Sequence, residues 1–247
     1  MEKFNIRLAD HIFEINLRYP ENRAFFRDYI DESGKSAEIV VLVSDDELEK
    51  TVETVGGSPK SAELTALYRP IAEYLPTVGG FVFHGAAICY GGKGYIFTAP
   101  SGTGKSTHIR LWRRYLGKSV DIINGDKPII TVKDGEATVH GTPWAGKELW
   151  QKNQSFPLGG ICLLRRGENC SAGDADIGKS LSFLLGQIYM PRESDGTVLT
   201  VDLLDTLLKT VPLKYLYCDI STDAVRKSFE ALTGESFDEH RISINNN

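Results

Sequence analysis

The 247-residue sequence contains little cysteine, no long hydrophobic run and no excess of positive charge, and each absence excludes a class of protein. Only four cysteines occur, and none of them belongs to a Cys-x-x-Cys pair. A zinc site needs clustered ligands, which this spacing does not supply. Three of the four lie in apolar stretches, so we expect buried thiols in a reducing cytosol. The four are Cys89, Cys162, Cys170 and Cys218.

The chain also lacks the marks of a membrane protein or a nucleic-acid-binding protein. No apolar run approaches the ~20 residues of a membrane span, and the first residues do not resemble a secretory signal peptide. The formal net charge is −5, which gives no basic character for contact with nucleic acid or a membrane surface. With 41% hydrophobic and 25% charged residues, the composition predicts a globular cytoplasmic protein that holds anionic ligands at a local site.

One stretch, Ala99–Thr107, carries the clearest functional signal, and its sequence is APSGTGKST. It follows an apolar run and opens a helical pattern, the context in which a glycine-rich loop binds phosphate. Glycines let backbone N–H groups point at phosphate oxygens, the helix N-terminus adds a positive dipole end, and a lysine supplies a mobile charge. A serine hydroxyl after the lysine can bind Mg²⁺. The predicted ATP-binding residues are Ser101, Gly102, Thr103, Gly104, Lys105, Ser106 and Thr107.

Phosphoryl transfer needs an acidic residue that holds Mg²⁺ near this loop, and Asp126 is the first candidate. It follows the predicted strand 119–124, one helix after Lys105, and this order predicts a place beside the loop. The alternative interpretation is a turn aspartate before a proline. Asp121 and Glu148 are the next candidates for the metal.

Several other side chains leave a functional and a structural interpretation open. His84 lies in an apolar run and is either a hydrogen-bonded core histidine or a catalytic group, and His140 is a weaker case of the same kind. Trp144 lies in a loop rich in glycine and proline, where it either stacks on a base or packs in the core. Three arginines are either phosphate clamps or solvated positions: Arg165, Arg166 and Arg192.

Hydrophobic periodicity and turn residues predict a mixed α/β structure. The run 81–90 is predicted as one strand, which returns through Gly91-Gly92 as strand 94–98. The strand before the phosphate loop is therefore the second arm of a hairpin. Other predicted elements are strands around 4–17, a helix at 21–30, a strand at 38–43, helices at 61–75 and 108–116, a strand at 119–124, a hairpin at 129–140, a strand at 159–164, a helix at 177–187, a strand at 214–219 and a helix at 222–232.

The stretch Gly56-Gly57-Ser58-Pro59 breaks the chain and suggests a domain boundary. We predict a small N-terminal α+β appendage over residues 1–57 and a nucleotide-binding domain over residues 58–247. The helix at 61–75 can belong to either side. The composition of this linker predicts that the larger part folds without the first 57 residues.

From His84-Gly85 through the glycine hairpin and the phosphate loop to the acid after the next strand, the sequence resembles the HPr kinase/phosphorylase family. The loop is equally similar to that of ATP-dependent phosphoenolpyruvate carboxykinase, which shares this fold. The similarity covers roughly residues 80–165. It implies an α/β P-loop nucleotide-binding domain with a mixed sheet, which binds ATP and Mg²⁺ and transfers a phosphoryl group to a hydroxyl.

The resemblance also implies roles for single residues. Lys105 and Ser106 match the family's phosphate and metal residues, Asp126 matches the second of two adjacent aspartates, and His84 matches the His-Gly before the loop. Two positions depart from the pattern, because Ala99 replaces a glycine and Gly125 replaces the first aspartate. The segment 142–146 stands where the family has its later signature for phosphorolysis.

These observations lead to one main functional hypothesis and two alternatives. The main one is an ATP- and Mg²⁺-dependent kinase acting on a hydroxyl of a small molecule or of a peptide or protein serine. Its catalytic residues are Lys105, Asp126 and His84, and its metal residues are Ser106 and Asp126. The first alternative, favoured by Gly125, is an ATP-binding regulatory or scaffold protein without chemistry. The second is a carboxykinase, for which no residues match an oxaloacetate site. The acceptor and any homo-oligomer stay open.

Overall fold

The first part of the chain forms a small sheet covered by helices. In the computed structural model, which describes residues 1–242, alternating apolar residues of the first strand, Phe4, Ile6 and Leu8, are buried on one face. The first two strands pair antiparallel, and the third pairs parallel with the second. The elements are β1 (Glu2–Leu8), β2 (His11–Leu17), a 3₁₀ helix (Pro20–Tyr29), β3 (Ile39–Val41), α1 (Asp45–Val55) and α2 (Pro59–Tyr74).

The stretch 56–59 proves to be the connection between two helices. Ser44 is the N-cap of α1, and its side chain accepts a hydrogen bond from Glu47 N. Ser58 is the N-cap of α2, which has a proline in its first turn. Sequence analysis did not predict α1, because only Leu48 and Thr51 of this helix are buried and its apolar face is narrow.

Helix α2 packs against the N-terminal sheet. Its residues Leu67 and Ile71 belong to the same hydrophobic cluster as Phe13 of β2. The cluster continues into Val82 and Ile129, which belong to the larger part of the chain. The domain boundary at residue 57 stays a prediction, and the apolar core is continuous across it.

A second, larger sheet of nine strands runs through the rest of the chain. Its strands are β4 (Gly80–Val82), β5 (Ala86–Tyr90), β6 (Lys93–Thr98), β7 (Val120–Asn124), β8 (Ile129–Lys133), β9 (Glu136–His140), β10 (Ser155–Arg166), β11 (Ser171–Asp174) and β12 (Leu213–Cys218). Neighbouring strands follow the order β4-β8-β9-β10-β6-β5-β7, and β12 pairs with β10 and with β11. β6 pairs antiparallel with β5 and parallel with β10, so the sheet is mixed.

Helices cover the two faces of this sheet and bury two separate cores. One core contains Leu184 and Leu207, which belong to two different helices. Sequence analysis predicted the helix that contains Leu184 but not the helix that contains Leu207. The other contains Trp112 and Phe229. The helices are α3 (Lys105–Leu116), α4 (Ile177–Leu185), α5 (Ser194–Thr210), α6 (Thr222–Thr233) and α7 (Phe237–His240). No helix within residues 1–242 is long and apolar enough to cross a membrane.

The hairpin that precedes the phosphate loop is confirmed, but the prediction of one strand over 81–90 is wrong. The run divides at His84-Gly85 into β4, which pairs with β8, and β5, which pairs with β6 and β7. Position 85 at this division has room only for glycine: a Cβ atom on Gly85 would lie 2.7 Å from the Ile96 side chain and 3.2 Å from the Phe97 carbonyl oxygen. His84 therefore lies at a break between strands and not within one.

Candidate functional site

The segment between β6 and α3 has the backbone of an anion-binding loop. Gly102 has a φ of 75° and Gly104 a φ of 121°, conformations that residues with a side chain rarely adopt. Both turn the chain so that α3 begins at Lys105, directly after the loop. The first N–H groups of α3 have no partner within the helix and, with the helix dipole, favour an anion at this end.

Lys105 is folded back onto this loop. Its Nζ donates a hydrogen bond to the carbonyl oxygen of Ala99 at 3.0 Å, and the residue is only 9% exposed. Burial lowers the pKa of Lys105, and the nearby Asp126 carboxylate partly opposes that shift. A lysine held only by one carbonyl can turn toward an incoming phosphate group, which is a stronger acceptor.

A polar cavity of ≈ 500 Å³ brings together side chains from four separate segments of the chain. The predicted phosphate-loop residues form one wall, with the exception of Thr103, which faces a neighbouring cavity. The opposite walls come from His84, from Gly125-Asp126 and from the loop at 146–148. The lining residues are His84, Ser101, Gly102, Gly104, Lys105, Ser106, Thr107, Gly125, Asp126, Gly146, Lys147 and Glu148.

Asp126 lies in this cavity although β7 is not a direct neighbour of β6. Strand β5 lies between the two. A tight turn after β7 orients the residue instead: the side-chain oxygen of Asn124 accepts hydrogen bonds from the N–H groups of Asp126 (2.8 Å) and Lys127 (2.7 Å). The carbonyl oxygen of Asp126 accepts a further bond from Gly85 N at 2.9 Å.

Asp126 and His84 face each other across the cavity wall, with 3.4 Å between Oδ1 and Nε2. The other carboxylate oxygen accepts a hydrogen bond from Lys127 Nζ at 2.8 Å. Burial by itself raises the pKa of Asp126, but the hydrogen bond from His84 and the charge of Lys127 outweigh it and lower the pKa to about 2. The carboxylate is therefore ionised at neutral pH.

Gln187 is a residue of this site that sequence reasoning missed. Its Oε1 lies 2.9 Å from His84 Nδ1, and its backbone oxygen accepts a hydrogen bond from His84 N at 2.6 Å. These contacts fix the ring with Nε2 toward Asp126. No local pattern could have identified Gln187, because it lies just after α4 and meets His84 only in the tertiary structure.

The other side of the phosphate loop borders a larger and mostly apolar cavity of ≈ 660 Å³. Leu111, Leu164 and Ile220 contribute apolar surface, and Gly102, Thr103, Gly104 and Thr107 form the wall that it shares with the loop. Arg166, the last residue of β10, contacts this wall: its Nη2 donates a hydrogen bond to Gly102 O at 2.6 Å.

The structure resolves most of the alternatives left open by the sequence. Trp144 packs against Phe25, Phe26 and Tyr68, and its Nε1 donates to Leu64 O at 2.7 Å, so it is a core residue. His140 is also structural, since it is buried and its two ring nitrogens lie within hydrogen-bond distance of the hydroxyl groups of Thr131 and Ser155.

Of the two remaining metal candidates, Glu148 lines the polar cavity, whereas Asp121 forms an ion pair with Lys152 at 2.7 Å. The arginines do not line the polar cavity: Arg166 contacts the loop backbone, and Arg165 donates a hydrogen bond to Tyr217.

The donor set of the polar cavity suits Mg²⁺ bound together with phosphate. Within residues 1–242 no group of three or more histidine, cysteine, aspartate or glutamate side chains forms a metal cage. The cavity does hold the carboxylates of Asp126 and Glu148 and the hydroxyl of Ser106. Mg²⁺ in nucleotide sites uses one or two such protein oxygens and takes its other ligands from phosphates and water.

Comparison with known proteins finds similarity among solved structures, at low sequence identity. No protein-family model matches this sequence, and no curated protein is significantly similar to it. Among solved structures, the chain is similar to the Hpr(Ser) kinase/phosphatase from Coxiella burnetii, with 12% identity and a TM-score of 0.30. The likeness covers 50% of this chain and 93% of that one.

Proposed function

We propose that this protein is an ATP- and Mg²⁺-dependent phosphotransferase that acts on a hydroxyl group. The observation that carries the proposal is the pair of cavities that share the phosphate loop. The polar cavity collects Lys105, Ser106, Asp126 and His84, and the apolar one lies on the other side of the same glycines. A nucleoside triphosphate needs this combination, because its phosphates are charged and its base is flat and largely apolar.

The residues of the polar cavity have distinct roles in this proposal. Lys105 exchanges the Ala99 carbonyl for oxygens of the β- and γ-phosphates, while Ser106 and Asp126 hold Mg²⁺, which supplies neutralising charge on the phosphates when it is bound. The bond from the γ-phosphorus to the bridging oxygen breaks as the bond to the acceptor oxygen forms. The proton of the acceptor hydroxyl would pass to the pair formed by Asp126 and His84, whose Oδ1 and Nε2 atoms lie 3.4 Å apart in the polar cavity.

The competing proposal is an ATP-binding protein without chemistry, and one specific observation favours it. The resemblance implies two adjacent aspartates, and this chain has Gly125 before Asp126. Loss of a general base costs about 10²–10⁴-fold in rate. Because phosphoryl transfer depends mainly on positioning and charge, a reduced kinase activity is compatible with this change.

Binding and transfer are tested separately. In a thermal unfolding assay, millimolar ATP with Mg²⁺ should raise the midpoint, and a hundredfold excess over Kd corresponds to about 2.7 kcal/mol. Lys105→Ala should abolish most of the shift, whereas Lys118→Ala, an exposed lysine just after the same helix, should not. No shift in the wild type would contradict both proposals.

Transfer is then measured as phosphate incorporation from γ-labelled ATP across candidate acceptors, including free serine and HPr. Incorporation that Lys105→Ala abolishes supports the phosphotransferase. A thermal shift with no transfer to any acceptor supports the protein without chemistry.

A further inference from the structure

Two cysteines, Cys170 and Cys218, lie opposite each other at the end of the β11–β12 pair. The antiparallel register pairs Asp174 with Lys214 and ends at Ser171 opposite Tyr217. Cys218 is the last residue of β12 and Cys170 directly precedes β11, so the register extended by one residue brings Cys170 opposite Cys218, on the same face as the first pair. The register is firm, since Lys214 Nζ and Asp174 Oδ1 form a hydrogen bond on that face at 2.5 Å.

Contacts around Cys170 show that the chain stays close to β12 beyond the last paired residue. Gly167 N donates a hydrogen bond to the carbonyl oxygen of Cys218 at 3.1 Å. The Cys170 sulfur lies 3.3 Å from Asp219 Oδ1 and 3.7 Å from Ser221 Oγ, so it points to the residues that directly follow Cys218. Opposite residues of antiparallel strands have Cα atoms about 4.5–5.5 Å apart, within the range that a disulfide spans.

These two thiols differ from the other cysteines of the chain. Cys170 and Cys218 are free and partly exposed, whereas Cys89 and Cys162 are buried. Burial and the neighbouring Cys170 raise the pKa of the Cys218 thiol to about 11, so this thiol is protonated at neutral pH. Cys218 also lines the apolar cavity beside Gly102 and Thr103.

We propose that Cys170 and Cys218 are a redox modification site, a dithiol that closes to a reversible disulfide at the rim of the apolar cavity. The oxidant class is a low-molecular-weight disulfide such as glutathione disulfide. One cysteine sulfur attacks it and releases one glutathione thiol, and the other then attacks the mixed disulfide and releases the second. The protein loses two hydrogen atoms and two electrons, and glutathione disulfide gains them. The Cys170 S–H bond to Asp219 is lost when the disulfide closes.

The test uses the full-length native chain and glutathione disulfide as the probe. After incubation at pH 8, free thiols are blocked with an alkylating reagent, and proteolytic fragments are identified by mass spectrometry. We expect one disulfide-linked peptide pair, which joins Cys170 to Cys218. Its mass should be the sum of the two reduced peptides minus two hydrogen atoms, and dithiothreitol should separate the two peptides completely. Cys170→Ser and Cys218→Ser should each leave the remaining cysteine with a glutathione adduct, and Cys89→Ser should react as the wild type does.

Two results would overturn the dithiol. One is separate glutathione adducts or free thiols at both positions in the native wild type, and the other is a link that involves Cys162 or Cys89. A second arm, which rests on the proposed function, adds ATP with Mg²⁺ and predicts slower closure because the ligand covers Cys218. If closure occurs at an unchanged rate while ATP shifts the melting temperature, the dithiol stands and the nucleotide base lies elsewhere.

Discussion

Gly125 and Ala145 are in direct backbone contact: a Cβ atom on Gly125 would lie 2.5 Å from the carbonyl oxygen of Ala145. A hydrogen bond also joins these two segments, since Gly125 N donates to Trp150 O at 2.9 Å. The 141–150 loop therefore occupies the space that an aspartate side chain at this position would need. The glycine at position 125 and the course of this loop are therefore one structural feature.

Gly125→Ala is accordingly expected to destabilise the protein, by about 1–3 kcal/mol, because the new methyl group must displace the loop backbone. The measurement is the unfolding midpoint in urea. The control is Gly178→Ala in the first turn of α4, where the nearest contact of a Cβ atom is 3.4 Å, so a neutral or stabilising effect is expected. A Gly125→Ala chain as stable as the control would contradict the steric explanation.

Asp126→Asn should lower the stability of the apo protein at neutral pH by only about 1–2 kcal/mol, the size of the contacts with His84 and Lys127 that lower the pKa of this carboxyl group. ATP binding should no longer respond to Mg²⁺, and any phosphoryl transfer should be lost. The measurement is a Mg²⁺ titration of ATP affinity in both proteins. If the variant is much less stable but still binds ATP in a Mg²⁺-dependent way, Asp126 is a structural turn residue and not a metal ligand. If ATP binding is normal and only phosphoryl transfer is lost, Asp126 acts as the general base.

Glu63→Ala in the full chain should cost about 1–3 kcal/mol, because it removes the acceptor of several buried donors. Its fully buried carboxylate accepts hydrogen bonds from Arg18 N at 2.6 Å and from Asn22 Nδ2 at 2.7 Å. Chemical unfolding checks this, with the exposed Glu53→Ala as the control that should stay within about 0.5 kcal/mol of the wild type.

Deletion of residues 1–57 removes the partners of Glu63 and uncovers the apolar face of α2. The linker composition predicts that residues 58–247 fold alone, but this packing leads us to expect an aggregating chain or one without cooperative unfolding. Circular dichroism melting of the soluble fraction distinguishes the outcomes. A truncated chain with a sharp transition would support an independent nucleotide-binding domain.

The free energy of unfolding should fall when the pH drops below about 6.5, a pH at which most carboxylates are still ionised. Burial lowers the pKa of His108 to about 3 and that of His140 to about 4, from the ordinary histidine value of 6.5. Both are neutral in the folded chain and bind a proton in the unfolded chain, so their stabilising effect is full above 6.5 and declines below it. Protonation of these two histidines in the unfolded chain should lower the free energy of unfolding by about 2 kcal/mol between pH 7 and 5.5.

Unfolding midpoints across this pH range provide the measurement. His108→Gln should lower stability at pH 7 and also reduce the pH dependence, since one titrating group is gone. The slope is the decisive quantity, because a purely structural role of His108 would change the midpoint and leave the slope as it is. A flat profile between pH 7 and 5.5 in the wild type would contradict the neutral buried histidines.

The sequence by itself determined the features that depend on neighbouring residues. The phosphate loop is one of these, because Gly102 and Gly104 allow the backbone turn and Lys105 opens the helix within a single short segment. The hairpin through Gly91-Gly92 follows from local turn chemistry in the same way. Helix α1 was missed for a related reason, since its narrow buried face gives a weak local signal.

Only the tertiary structure decided how distant segments meet. The strand order inserts β5 between β6 and β7, so Asp126 reaches the loop through the turn made by Asn124 and not as a neighbouring strand end. The positions of Gln187 beside His84 and of Cys170 beside Cys218 depend on which chain segments pack together. Strand pairing and packing are set by the burial of the whole core, a sum over many residues that no short motif contains.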